Sequence, residues 1–101
     1  MGEPIRVYLL DDHDVVREGL TFLLEQQEDI IVVGQSATAA EATARIPALR
    51  PDVAVLDARL PDGSGIEVCR AVRAVDPSIN ALILTSYDLS LIHISEPTRR
   101  S

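Results

Sequence analysis

The sequence predicts an α/β domain in which helices cover both faces of a parallel sheet. Four short apolar runs are nearly continuous rather than alternating, a pattern typical of strands that are buried on both faces. The segments between these runs carry apolar residues at helical spacing. Strands that alternate with helices along a chain favour a parallel sheet wound by right-handed crossovers. The four predicted strands are Ile5–Leu10, Ile30–Val33, Val53–Leu56 and Ala81–Leu84.

The first predicted helix follows the first strand and carries one apolar stripe. The members of the stripe are spaced i, i+4, i+7 and i+8, which places them on a single face. They are Val16, Leu20, Leu23 and Leu24. Asp14 stands where an N-cap residue is expected, so we expect it to cap this helix.

The second and third predicted helices each begin with a capping box. Thr38 with Glu41, and Ser64 with Glu67, have the spacing at which a hydroxyl satisfies an amide of the first turn. Pro47 is expected to end or kink the second helix. The predicted apolar faces are Ala39, Thr43 and Ile46 in the second helix and Val68, Val72 and Val75 in the third.

Composition places the chain among globular proteins of one domain. It has 101 residues, of which 47% are hydrophobic and 25% charged. No apolar stretch approaches the length of a membrane span, and a single cysteine cannot form an internal disulfide, so we expect a cytoplasmic location. Nine basic residues, all arginine, against 16 acidic ones give a net charge of -7. Such a surface repels phosphate backbones, so no direct binding to nucleic acid is expected.

Polar residues stand at the carboxyl ends of three predicted strands, which is where open α/β sheets bind ligands. Asp11 and Asp12 follow the first strand, Asp57 ends the third, and Thr85 follows the fourth. If the first and third strands are neighbours, the three carboxylates converge. Two unit charges 4 Å apart repel by about 4 kcal/mol at an effective dielectric constant of about 20. A hard divalent cation with oxygen ligands compensates this repulsion, and Mg²⁺ fits best.

A carboxylate beside such a cation can accept a phosphoryl group and form an acyl phosphate. Asp57 is the predicted nucleophile because it ends a buried strand, whereas Asp11 and Asp12 lie on a loop. The hydroxyl of Thr85 could donate a hydrogen bond to a phosphoryl oxygen. His13 is expected to lie in the loop before the first helix without a ligand role, since a lone histidine lacks partners at metal-binding spacing.

Three segments resemble the receiver domain of bacterial two-component response regulators, and are most similar to the NarL/FixJ type with a helix-turn-helix output domain. They are LLDDHDVVREGL at 9–20, RPDVAVLDARLPDGSGIE at 50–67 and ALILTSYD at 81–88. The resemblance implies a flavodoxin-like, CheY-like, doubly wound sheet. Residues 1–88 would supply about four of its five strands and three of its five helices, and so form a truncated receiver domain.

The resemblance also implies roles for individual residues. Asp57 would be the phosphoacceptor, and Asp11, Asp12, Asp57 and the backbone carbonyl of Arg59 would bind Mg²⁺. Thr85 would sense the phosphoryl group. Arg59 and Tyr87, each two residues after a site residue, would modulate phosphoryl lifetime. The lysine that pairs with the phosphoryl group in the family has no counterpart here, because the chain contains no lysine.

The resemblance further implies partners. A sensor histidine kinase would donate the phosphoryl group, and DNA would be bound only through an output domain that this chain lacks. The last segment, Leu89–Ser101, contains LSLIHISEPTR, which resembles a translated sequencing-library adapter. We therefore expect a non-native tail there and exclude it from the fold. Without the remaining elements, Ala81–Leu84 should form an exposed hydrophobic edge, and the protein should be poorly soluble.

Two other functional classes use similar residues. Phosphatases of the haloacid-dehalogenase type form an aspartyl-phosphate intermediate, but they place a second aspartate two residues after the nucleophile, where this chain has Arg59. A flavodoxin-like cofactor binder is disfavoured because three aspartates face the site where a cofactor phosphate needs amide or hydroxyl donors. We therefore predict a phosphorylation switch rather than an enzyme, with a non-functional fragment as the remaining alternative.

Overall fold

The computed structural model describes residues 2–85, in which strands and helices alternate. The strands are β1 (Ile5–Leu10), β2 (Ile30–Ser36), β3 (Val53–Asp57) and β4 (Asn80–Leu84). The helices are α1 (Asp14–Glu25), α2 (Ala39–Leu49) and α3 (Gly65–Val75). The predicted domain boundary at residue 88 and the predicted tail Leu89–Ser101 lie outside the described residues and stay predictions.

The four strands form one parallel sheet in the order β2-β1-β3-β4. The order in which strands are added to the sheet reverses at β1, because β2 lies on one side of β1 and the later strands lie on the other. The switch point of the sheet is therefore between β1 and β3. Right-handed crossovers then place α1 on one face of the sheet and both α2 and α3 on the opposite face. The predicted doubly wound α/β fold, incomplete with four strands and three helices, is confirmed for these residues.

The main core lies between the sheet and the pair α2 and α3. Alternate residues of β1 and β3 point toward these helices and are fully buried, as are the helix residues that meet them. The cluster includes Tyr8, Leu10, Ala54, Leu56, Ala42, Ile46, Val68 and Val72. Two residues predicted for the helix faces lie outside it: Thr43 is exposed, and Val75, the last residue of α3, is 69% exposed. In α2 the predicted Ala39 and Ile46 are buried, and Ala42 takes the place of Thr43.

In both predicted capping boxes, the hydroxyl of the N-cap residue forms the expected hydrogen bond with a backbone amide. The hydroxyl of Thr38 accepts a hydrogen bond from the Glu41 amide at 3.2 Å, and the hydroxyl of Ser64 accepts one from the Glu67 amide at 3.2 Å. These bonds satisfy donors that the first helical turn leaves without a partner. They explain why α2 and α3 begin where they do.

Two local predictions are wrong or incomplete. Asp14 does not cap α1; it is the first helical residue and its carboxylate binds the guanidinium of Arg17, while His13 occupies the N-cap position. Pro47 does not end α2, which continues to Leu49. Because Pro47 lies near the end of the helix, its missing N–H removes only a bond of the last turns.

The sheet has an apolar edge at β4. Among residues 2–85, β4 pairs only with β3, and its side chains Leu82 and Ile83 are 59% and 40% exposed. The predicted hydrophobic edge is therefore present in the described part of the chain. No helix within residues 2–85 combines the length and the apolar character needed to cross a membrane.

Replacing Leu82 by lysine is expected to reduce self-association. A charge on an edge strand opposes pairing with a second chain, and an exposed substitution changes stability by no more than about 0.5 kcal/mol. Static light scattering against protein concentration measures the effect, and the far-UV circular dichroism spectrum should stay unchanged. The matched control is Leu56→Lys in the neighbouring strand, which should unfold the protein because Leu56 is fully buried. Scattering that is unchanged in folded Leu82→Lys would show that the edge does not drive association.

Candidate functional site

The ends of β1 and β3 bring three carboxylates together. Leu10 pairs with Leu56 across the sheet, so Asp11, which follows β1, lies beside Asp57, which ends β3. One ligand atom from each of Asp11, Asp12, Asp57 and His13 lies within 4.8 Å of all the others. The three acidic residues singled out in the sequence therefore form one cluster at the carboxyl end of the sheet.

Most of this cluster is shielded from solvent. Asp11 and Asp57 are 2% and 3% exposed, and the side chain of Asp12 is 29% exposed. Oδ1 of Asp11 accepts a hydrogen bond from the His13 amide at 2.8 Å, and Oδ1 of Asp57 accepts one from the Arg59 amide at 3.2 Å. Each of these carboxylates is thus oriented by the backbone of the loop that follows it.

Two carboxylate oxygens of the cluster lack a hydrogen bond. Within residues 2–85, no group donates a hydrogen bond to Oδ2 of Asp11 or to Oδ1 of Asp12, although both atoms are buried. A buried oxygen that carries negative charge is costly unless a donor or a cation compensates it. Nδ1 of His13 lies 3.2 Å from Oδ1 of Asp12, so the clearest position for compensation by a cation is beside Oδ2 of Asp11.

Burial raises the pKa of the Asp57 carboxyl above its ordinary value. The Arg59 amide opposes this rise, and the nearby charges of Asp11 and Asp12 add to it. Burial and the neighbouring negative charges thus both disfavour the ionised form of Asp57 when no cation is present. A bound cation would act in the opposite direction and favour the ionised form of Asp57.

His13 lies in the loop before α1, as the sequence predicts, and its ring also contacts the carboxylates of the cluster. Its Nδ1 lies 3.0 Å from Oδ1 of Asp11 and 3.2 Å from Oδ1 of Asp12, and its side chain is 59% exposed. The hydrogen bond with Asp11, together with the charge of Asp12, raises the pKa of the imidazole. The position of His13 two residues after Asp11 lets its amide and its ring reach the same carboxylate. The tendency of aspartate to form such turns with residues two positions later is the feature of the sequence that could have indicated this contact.

Two further predicted site residues, Thr85 and Arg59, lie next to the strand ends of the site. Thr85 directly follows Leu84, which pairs with Asp57 in the sheet and accepts a hydrogen bond from the Ala58 amide at 2.8 Å. Thr85 therefore stands at the adjacent strand end. The side chain of Arg59 is exposed, and its amide binds Asp57. Tyr87 lies outside the described residues.

Gly65 allows α3 to begin directly against the backbone of Asp57. A Cβ atom at Gly65 would lie 2.3 Å from the carbonyl oxygen of Asp57 and 3.1 Å from Cβ of Leu56. The Gly65 amide donates to the carbonyl of Ala58 at 3.3 Å. No other residue type fits this close approach without movement of the strand end that carries Asp57.

The donor set fits a hard divalent cation. Carboxylate oxygens dominate it, two of them have no hydrogen bond, and the net charge of the cluster is negative. Cations such as Mg²⁺ take oxygen ligands of this kind and keep several waters. The geometry thus offers a buried acidic acceptor beside a place for a cation, at the switch point of a doubly wound sheet.

The chain is similar in sequence to known bacterial regulatory proteins. The chain is 57% identical over 83 residues to the DNA-binding transcriptional activator DevR/DosR of Mycobacterium tuberculosis, covering 82% of this chain and 38% of that protein. It is 39% identical over 83 residues to the response regulator protein VraR of Staphylococcus aureus, covering 82% of this chain and 40% of that protein. The chain therefore spans about two fifths of the length of these curated relatives.

A solved structure with the same fold is the signal receiver domain of the response regulator NarL from Mycobacterium tuberculosis. It superposes with a TM-score of 0.81 at 36% identity, over 90% of this chain and 73% of that chain. The sequence profile described as the response regulator receiver domain matches residues 7–93. This match includes both strand ends that carry the acidic cluster. The chain with its buried carboxylates at the switch point belongs to the response regulator receiver domain family.

Proposed function

We propose that this chain is a phosphoacceptor switch in which Asp57 receives a phosphoryl group from a sensor histidine kinase. The observation that carries the proposal is the buried convergence of Asp57 with Asp11 and Asp12 beside Oδ2 of Asp11, which has no hydrogen bond from any described residue. A purely structural cluster would place a donor on this oxygen rather than leave it buried and unsatisfied. A site prepared for a cation and an anionic group explains the arrangement.

Mg²⁺ is the cation that this set of ligands favours. Asp11, Asp12, Asp57 and the backbone carbonyl of Arg59 would hold it, since carboxylate and carbonyl oxygens are its usual protein ligands. When bound, it supplies positive charge that offsets both the carboxylates and the incoming phosphoryl oxygens.

The residues of the chain have distinct tasks in the proposed transfer. An oxygen of the Asp57 carboxylate forms a bond to phosphorus while the bond from phosphorus to a nitrogen of the donor histidine breaks. The electron pair of the broken bond stays on the donor imidazole, which ends the step neutral or takes up a proton. The position of Asp57 at the end of a central strand fixes the direction of attack.

The hydroxyl of Thr85 would donate a hydrogen bond to a phosphoryl oxygen. Arg59 and Tyr87 would influence how long the acyl phosphate persists.

A switch fits these residues better than a phosphatase. Rapid turnover needs a general acid or base within reach of the acyl phosphate. Two residues after Asp57 the chain has Arg59, and arginine is not among the residue types that usually serve as a general acid or base. We therefore propose that the acyl phosphate is a signal and not a catalytic intermediate.

The output of the whole protein is proposed from its relatives. DevR/DosR is described as a DNA-binding transcriptional activator, and this chain covers 38% of it. We propose that a parent protein would bind DNA through a separate output domain. The acidic chain itself, with a net charge of -7, would not bind DNA directly.

Addition of Mg²⁺ is expected to raise the melting temperature of the metal-free protein. A ligand that binds only the folded state at 100 times its Kd stabilises that state by about 2.7 kcal/mol. Differential scanning calorimetry with increasing MgCl2 measures the shift. KCl at matched ionic strength controls for screening, and Asp11→Asn should remove the response to Mg²⁺. A wild-type melting temperature that does not respond to Mg²⁺ contradicts the proposal.

Beryllofluoride separates a switch from an enzyme. With Mg²⁺ present, it should bind once per chain at Asp57 and stay bound, and the consumption of acetyl phosphate beyond one equivalent per chain should be no faster than in a blank. Because the chain contains no lysine to pair with the phosphoryl group, covalent labelling by acetyl phosphate is expected to be weak. Steady release of phosphate over many turnovers would favour the phosphatase interpretation instead.

A further inference from the structure

Asp62 connects the loop after Asp57 to the start of helix α2. Its Oδ1 accepts a hydrogen bond from the Ala39 amide at 2.7 Å, and its Oδ2 accepts one from the Ala40 amide at 3.0 Å. These amides are the first two of α2, and Thr38 satisfies the next free one, that of Glu41. The carboxylate of Asp62 thus completes the capping of a helix from which it is more than 20 residues distant.

The loop that carries Asp62 is compact and begins at the proposed site. Leu60 and Gly63 bind each other through both backbone groups, with N···O distances of 3.1 and 3.4 Å, so Pro61 and Asp62 form its tip. At its base, the Gly65 amide binds the carbonyl of Ala58. The tip is exposed, and its two bonds to α2 attach it to a part of the fold that is held in the core by Ala42 and Ile46.

Charge strengthens this attachment. A helix N-terminus carries partial positive charge, and hydrogen bonds from amides to a carboxylate are stronger than those between neutral groups. The two amides of α2 accordingly lower the pKa of the Asp62 carboxyl below its ordinary value. The contact therefore persists at neutral pH, where Asp62 is ionised.

We infer that Asp62 is a positioning residue for the proposed phosphoacceptor site. By tying the loop tip to α2, it holds the backbone of residues 58 and 59 against Asp57, and this backbone includes the carbonyl of Arg59. The inference rests on the proposed function, because the carbonyl of Arg59 matters only if a cation binds there. The amides that bind Asp62 belong to α2, which carries none of the residues proposed to touch the cation or the phosphoryl group.

A simple helix cap is the competing explanation, and Thr38 provides the matched control. Thr38→Ala removes a capping bond from the same helix without touching the loop after Asp57. Asp76→Asn is the control for charge, since the Asp76 carboxylate accepts bonds from Ser78 in the turn before β4 and pairs with Arg50 at the opposite, C-terminal end of α2. A role in positioning requires that Asp62 variants differ from both.

Calorimetric titration of the full chain with MgCl2 tests the inference. We expect Asp62→Ala to weaken Mg²⁺ binding by about tenfold, the lower end of the range for loss of a residue that supports a metal ligand. Asp62→Asn, which keeps one acceptor oxygen, should fall between Asp62→Ala and the wild type. Thr38→Ala and Asp76→Asn should keep the wild-type Kd within about twofold, since neither touches the loop. Equal weakening by Thr38→Ala, or none by Asp62→Ala, overturns the inference.

Hydrogen exchange of the metal-free protein gives a second readout that does not depend on the proposed function. Asp62→Ala should speed exchange at the Arg59 and Gly65 amides by about tenfold, because the loop opens locally. Thr38→Ala should speed exchange only at the start of α2. If the wild type does not bind Mg²⁺, the proposed function fails. Unchanged exchange at Arg59 and Gly65 in Asp62→Ala refutes the loop attachment itself.

Discussion

Gly65→Ala is expected to destabilise the protein by about 2 to 3 kcal/mol, the upper range for overpacking a buried site. The added Cβ atom would lie 2.3 Å from the carbonyl oxygen and 3.0 Å from the carbonyl carbon of Asp57. These are backbone atoms of a central strand, so they cannot move aside as a flexible side chain would. Urea denaturation followed by circular dichroism measures the change in the free energy of unfolding.

Gly19→Ala is the matched control for this substitution. Gly19 lies within α1, and a Cβ atom placed there would meet nothing within 4 Å. Alanine is favoured over glycine in a helix by about 0.8 to 1.0 kcal/mol, so this variant should be more stable than the wild type. The same chemical change is thus expected to have opposite effects at the two positions. A loss of less than about 0.5 kcal/mol in Gly65→Ala, within the range of ordinary surface changes, would show that α3 can move away from Asp57.

The Asp57→Asn substitution is expected to abolish phosphorylation. The amide cannot act as the nucleophile that attacks phosphorus, so incubation with acetyl phosphate and Mg²⁺ should give no phosphorylated species. Intact-mass spectrometry measures the fraction of chains that gain one phosphoryl group. Labelling of the wild type is expected to be weak, so the comparison should use long incubation and should include binding of beryllofluoride. Phosphorylation that persists in Asp57→Asn would place the acceptor elsewhere.

The same variant is expected to be more stable than the wild type when Mg²⁺ is absent. Removing one charge from a cluster whose ligand atoms lie within 4.8 Å relieves repulsion between buried carboxylates. The gain is on the order of 1 to 4 kcal/mol, with the upper value from two charges 4 Å apart at an effective dielectric constant near 20. Asp29→Asn is the control, since Asp29 is exposed. The wild type should recover much of the difference when Mg²⁺ is added, and a less stable Asp57→Asn variant without metal contradicts this account.

Local signals in the sequence were sufficient to predict the described strands and the starts of two of the helices. Continuous apolar runs identified all the described strands, and the capping boxes at Thr38 and Ser64 identified the starts of α2 and α3. Such signals depend on neighbours within one helical turn or one strand, so they can be read without knowing the fold. Asp14 shows where this reasoning fails, since its carboxylate binds Arg17 rather than an amide.

Contacts between distant segments were beyond that reasoning. The acidic cluster required β1 beside β3, an order that hydrophobic patterning does not specify. His13 joined the cluster because a turn directed its ring back to Asp11. Asp62 and Gly65 gained their importance from atoms of α2 and of Asp57 that approach them only in the folded chain. Periodicity records which face of an element is apolar, whereas these contacts depend on how separate elements pack against one another in three dimensions.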